Sequence, residues 1–100
     1  MDYQVILSDF FISDLQEIVE YLIEKADAAT ASRIGYEVID RALEIGRHPL
    51  AGSPVKQRPG ARRVFLYSYV IYYDVNEATH AVQILRVWHG ARDPRTLRFK

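Results

Sequence analysis

The chain has 100 residues, 49% apolar and 26% charged, a balance that fits one folded domain spanning residues 1–100. It contains no cysteine, which excludes disulfides, thiolate metal sites and thiol catalysis. A formal net charge of zero hides two opposed halves. Residues 1–46 carry three bases against ten carboxylates (net −7), and residues 47–100 carry ten bases against three carboxylates (net +7). Eight of the ten bases in the second half are arginine, whose planar fork suits carboxylate and phosphate. No apolar run approaches the roughly 20 residues of a membrane helix, and Met1-Asp2-Tyr3 lacks a basic leader. A soluble, cytoplasmic protein without membrane contact is expected.

Tyr3 to Leu7 reads as a short strand. Ser8 then precedes a helical period in which Leu15, Ile18, Val19, Leu22 and Ile23 recur, with Phe11 one turn earlier. Asp14, Glu17, Glu20 and Glu24 fall on other sides, so this first helix is expected to be acidic outward and to end near Lys25. Ser8 is its candidate N-cap, because a hydroxyl there accepts from an otherwise unpaired early N–H. Asp27 is the next cap candidate. Ala31, Ile34, Gly35, Val38, Ala42 and Ile45 mark the buried stripe of a second helix ending around Gly46. The short Ala26-Asp27-Ala28 link folds the two helices back as a hairpin, and the small residues at 31, 35 and 42 permit close approach.

A breaker cluster, His48 to Pro54, and then Pro59-Gly60 form a loop that is expected to be exposed. Three strands follow, Arg62–Tyr67, Tyr69–Val75 and Ala81–His89, joined by a tight and a looser reversal. The expected fold is α+β, in the order β-α-α-β-β-β. An N-terminal helical hairpin packs on a mainly antiparallel four-stranded sheet. Period-2 alternation puts Ile84, Arg86 and Trp88 on one face of the last strand, and Leu85, Val87 and His89 on the other. Leu85 and Val87 suit the helix side, which leaves Arg86 and Trp88 on the open side. On the middle strand the alternation does not decide which set is inside.

Few enzyme motifs are present. The five glycines form neither a phosphate loop nor a dinucleotide fingerprint, and no serine lies in a nucleophile elbow. His48, His80 and His89 lack metal-ligand spacing, so neither a metal nor a cofactor is expected. The basic end remains: Arg86, Trp88, His89, Arg92, Arg95 and Arg98 lie within thirteen positions, and Arg62 and Arg63 belong to a strand that can run nearby. Arginines interleaved with an aromatic suit a phosphate-rich or acidic partner. The alternative is structural: Arg62, Arg63 and Arg86 pair with acids of the hairpin while Trp88 is half buried.

The order of these pieces resembles the RelE/ParE superfamily of type II toxin–antitoxin toxins. The strand, the acidic hairpin, His48-Pro49-Leu50-Ala51-Gly52, Arg62-Arg63, the tyrosine-rich strand and Ile84 through Asp93 follow one another as in that family, over nearly the whole chain. The resemblance implies a bacterial toxin held inactive by a cognate antitoxin, with DNA contacted only through the antitoxin. It implies one of two activities. RelE-like members cut messenger RNA on the ribosome without a metal, using arginines and lysines and usually a tyrosine or histidine near the C-terminus. ParE-like members lack that set and poison DNA gyrase. Here the tail, Arg95-Thr96-Leu97-Arg98-Phe99-Lys100, has neither tyrosine nor histidine, which favours the gyrase-directed branch.

On that reading no catalytic residue is expected. Arg86, Trp88, Arg92, Arg95 and Arg98 would contact the target, and Arg62, Arg63 and Arg86 the antitoxin. On the endonuclease reading Arg62, Arg63, Arg86 and Arg92 would surround the phosphate, with His89 as base. A third possibility is an antitoxin-binding member with little toxicity.

Overall fold

The computed structural model describes residues 2–99; Met1 and Lys100, the last cation of the tail, lie outside the described residues. Strand β1 (Gln4–Leu7) leads into helices α1 (Asp9–Lys25) and α2 (Ala28–Glu44), and a 3₁₀ turn (Ile45–Arg47) closes the second. Four strands follow: β2 (Ser53–Pro54), β3 (Ala61–Leu66), β4 (Tyr69–Asn76) and β5 (Ala81–His89). A last 3₁₀ turn spans Pro94–Thr96. The sheet order is β1-β5-β4-β3-β2, antiparallel throughout except for the β1–β5 pair. The architecture is α+β, two helices on a five-stranded mixed sheet. Its fifth strand is the two-residue β2, which lies in the segment expected to be loop. Among the described residues no helix is long and apolar enough to cross a membrane.

Both helix starts carry the expected caps. The Ser8 hydroxyl accepts from the Phe11 N–H at 3.1 Å and itself donates to the Leu85 carbonyl at 2.9 Å, so the cap also ties α1 to β5. Asp27 Oδ1 accepts from the Thr30 N–H at 2.7 Å. The hairpin closes tightly at Gly35, where a Cβ would stand 3.2 Å from Cγ2 of Val19. Every residue expected in the α2 stripe is buried. On α1 Phe11 is buried, whereas Ile23, beyond the reach of the sheet, stands 51% exposed.

Two apolar layers result. Beneath the helices, Phe11, Ile34, Val38 and Ala42 pack on Val64, Ile71, Tyr73, Val82, Ile84 and Val87. On the opposite face a smaller cluster joins Val55, Ala61, Val70, Tyr72, Leu85 and Trp88 to Leu97, with Phe99 against it. The C-terminal tail therefore lies across the open face of the sheet. Tyr73 anchors the loop expected to be exposed: its hydroxyl donates to the Pro49 carbonyl at 2.8 Å and accepts from the Gly52 N–H at 3.0 Å. A side chain at Gly52 would collide with that hydroxyl and come within 2.8 Å of the Arg63 carbonyl, so the loop can lie on the sheet only with glycine there.

Candidate functional site

Strand β5 is not regular. Tyr72 faces Arg86 and Tyr73 faces Ile84, so Leu85 is an extra residue, a β-bulge. The bulge resets the alternation. Ile84 and Val87 both point under the helices, while Leu85 and Trp88 point to the open face. The period-2 reading was thus right for Val87 and Trp88 and reversed for Ile84 and Leu85, because simple alternation has no place for an inserted residue.

The bulge turns Arg86 toward α1. Its Nε and Nη2 donate to the two oxygens of Asp14 at 2.7 and 2.8 Å, and the Val87 N–H donates to the same carboxylate at 3.2 Å. Asp14, expected on the outward face, is 6% exposed. A third guanidinium nitrogen, Nη1, donates to the Arg98 carbonyl. The guanidinium carbon lies 5.1 Å from the ring centre of Phe10 and 5.6 Å from that of Trp88. Hydrogen bonding to Asp14 raises the pKa of Arg86, so the cation is fixed in place as well as in charge.

Arg92 lies over the other cation position of the same ring, its guanidinium carbon 3.8 Å from the Trp88 centre. Trp88 is 4% exposed, within the open-face cluster. His89 packs edge-on against Tyr69 at 5.7 Å, and its Nδ1 accepts from the Ala91 N–H at 3.1 Å. Arg95 is outward and paired with Asp93 at 2.9 Å; hydrogen bonding between the two lowers the Asp93 pKa and raises that of Arg95. Arg98 is exposed between the two apolar anchors of the tail, Leu97 and Phe99.

The strand pair expected to supply cations divides. Arg62 bends away and donates to the Leu50 and Gly52 carbonyls at 3.1 and 2.7 Å. Arg63 stays on the open face with its guanidinium carbon 5.5 Å from the centre of the Phe65 ring. A groove of about 380 Å³ brings Arg63, Arg92 and His89 together with Tyr72 and Ser68. Among the described residues neither Arg63 nor Arg92 has an ion-pair partner, and Nε of Arg63 is buried without a hydrogen bond. A second groove, about 640 Å³, runs between α1 and the end of β5; Ile18, Tyr21, Leu22, Val87, His89 and Arg92 line it. Among the described residues no three His, Asp or Glu side chains gather as metal ligands would.

The structure therefore unites Arg86, Trp88 and Arg92 around one ring, places Arg63 and His89 beside Arg92, and separates Arg62 and Arg95 from them. Sequence reasoning missed Asp14, Phe10 and the ion pair between Arg58 and Asp74 at 2.8 Å. One signal for Asp14 was available: it lies three residues after Phe11 and four before Ile18, inside the apolar stripe, where an unpaired acid would be costly.

The family model of the ParE toxin of the type II toxin–antitoxin system parDE matches residues 5–94. No curated protein sequence gives a significant match. Among solved structures, the chain is similar to one from the Mycobacterium tuberculosis RelBE2 toxin–antitoxin complex, at 24% identity and a TM-score of 0.71, over 89% of this chain and 99% of that one. It is also similar to a chain of the chromosomal ParDE system of P. aeruginosa, at 18% identity and a TM-score of 0.77, over 87% of this chain and 95% of that one. A mutant of the E. coli toxin RelE in the free state superposes with a TM-score of 0.65 at 14% identity, over 91% of this chain and 86% of that one. The shared fold spans both branches, and the sequence match extends over nearly the whole chain; this protein belongs to the ParE toxin family of type II toxin–antitoxin systems.

Proposed function

We propose that this toxin acts by binding DNA gyrase and trapping cleaved DNA, and that a cognate antitoxin neutralises it. The observation that carries the reading is the match of residues 5–94 to ParE toxins. The chemistry of the tail supports it. After Arg92 the described chain offers cations, apolar anchors and the Asp93 carboxylate, which is held by Arg95, but neither histidine nor tyrosine. Arg92 over Trp88, with Arg95 and Arg98 outward on the tail, forms the target-facing surface in this reading. Arg63, without a carboxylate partner among the described residues, is a contact for acidic side chains of the antitoxin; Arg62, occupied by two loop carbonyls, supports the loop beside it. An antitoxin partner is further supported by the similarity to toxins from the RelBE2 and ParDE systems.

One observation favours a second reading, a ribosome-dependent mRNA endonuclease: Arg63, Arg92 and His89 line one groove. A supercoiling assay with purified protein and a protein-denaturing step separates the two. Linear DNA that accumulates with added toxin and disappears with antitoxin is the expected result. Unchanged supercoiling, together with messages cut on ribosomes after induction, would replace the gyrase reading with the endonuclease. Neither product, with normal growth, would leave an antitoxin-binding member of little toxicity.

A further inference from the structure

We propose that Asp14 and Arg86 form a positioning pair for the C-terminal tail, fixing where Arg98 stands on the open face. The inference rests on the reading above only where it attributes target contact to the tail; the positioning itself follows from the geometry. Arg86 joins three separate parts of the molecule. Two of its nitrogens hold Asp14 of α1, the third holds the Arg98 carbonyl, and its own backbone is the bulged stretch of β5. The bulge is what makes this possible: it opens the Val87 N–H to Asp14, and Asp14 satisfies it at 3.2 Å.

Phe10 and Trp88 flank the guanidinium and narrow its motion further. The tail is otherwise retained by Leu97 and Phe99 in the small open-face cluster and by the Asp93 cap at its start. Those contacts give adhesion, but an apolar cluster is non-directional. The hydrogen bond from Arg86 sets the register, because it fixes one particular carbonyl, that of Arg98, between the two apolar anchors. Asp14 does not touch the tail and acts only by holding Arg86.

Trypsin reads this contact directly, since cleavage after Arg98 attacks the very carbonyl that Arg86 holds. In Asp14→Asn, which keeps an oxygen for the Val87 N–H, and in Arg86→Lys, whose single nitrogen cannot span Asp14 and the Arg98 carbonyl as the planar fork does, cleavage after Arg98 should rise about tenfold relative to wild type. Cleavage after Arg41, within α2, reports global opening and should rise far less. Val38→Ala, which weakens the core without touching the pair, should raise both rates together. Cleavage after Arg98 that is unchanged in both pair variants, or that rises only in step with cleavage after Arg41, would overturn the proposal. The same variants in the supercoiling assay separate the two ideas. A loosened tail with reduced gyrase inhibition supports both; a loosened tail with full inhibition keeps the positioning pair and removes the tail from the target surface.

Discussion

The carboxylate of Asp14 and the guanidinium of Arg86, 72 positions apart in the chain, meet in a two-point ion pair at 2.7 and 2.8 Å. The side chains are 7% and 13% exposed, so solvent screens the pair little. Removing one member leaves a desolvated charge, which costs about 3 kcal/mol or more. Asp14→Ala should therefore lower the unfolding free energy by about 3 kcal/mol. The double variant Asp14→Leu/Arg86→Met should recover most of that loss, because apolar groups of similar volume replace both charges. Urea unfolding of the three proteins checks this. A double variant no more stable than Asp14→Ala would mean that the pair is not the origin of the cost.

The helices, their caps and the three long strands were legible because each follows from a local rule. Ser8 and Asp27 each precede an apolar period of 3.6, and β5 begins and ends where the β-rich run does. What was not legible depends on partners distant in sequence. The bulge at Leu85 arises in the pairing with β4, and no pattern within Ala81–His89 marks it. Strand β2 is only two residues long and exists because Arg62 and Arg63 pair with it. The site was legible as a cluster of arginines, but their division was not. Arg86 turns inward because Asp14 is there, and Arg62 turns away because two carbonyls of the His48–Pro54 loop accept from it.

Tyr73 offers a test of that loop. Its ring is fully buried, and its hydroxyl bridges the Pro49 carbonyl and the Gly52 N–H. Burial raises its pKa, so it remains a neutral donor at physiological pH. Tyr73→Phe keeps the ring and leaves a buried N–H and a carbonyl unsatisfied, at a cost of about 1–3 kcal/mol. The expected result is that loss in urea unfolding, with faster hydrogen exchange at Gly52. A stability equal to wild type would show that the loop finds other partners.

The N-terminus of α2 carries a titratable cap. Hydrogen bonding to the Thr30 N–H lowers the Asp27 pKa from 3.8. A folded value below the unfolded one means that the stabilisation is complete above 3.8 and is lost as pH falls through the lower folded value. Asp27→Asn caps without titrating. Wild type should lose melting temperature more steeply than Asp27→Asn as the pH falls through that window, and the two curves should run parallel near neutrality. Parallel curves throughout would assign the acid sensitivity to other carboxylates.

Both activities use Arg92, and only the endonuclease needs His89. Arg92 stands over the Trp88 ring at 3.8 Å with no ion-pair partner among the described residues, so its removal costs the fold only about 0.5–1 kcal/mol. An arginine at the centre of a protein interface is worth far more, so Arg92→Ala should reduce gyrase inhibition by about tenfold or more while the protein stays folded. His89 already uses Nδ1 to accept from the Ala91 N–H, which leaves Nε2 as the ring's free nitrogen. A binding toxin does not need that nitrogen, and His89→Ala should arrest growth almost as wild type does. An endonuclease with His89 as base would lose all of its activity in that variant, since acid–base work needs a group within reach of the proton it moves. Growth arrest, supercoiling and message integrity measured on both variants decide between a surface that binds and a group that reacts.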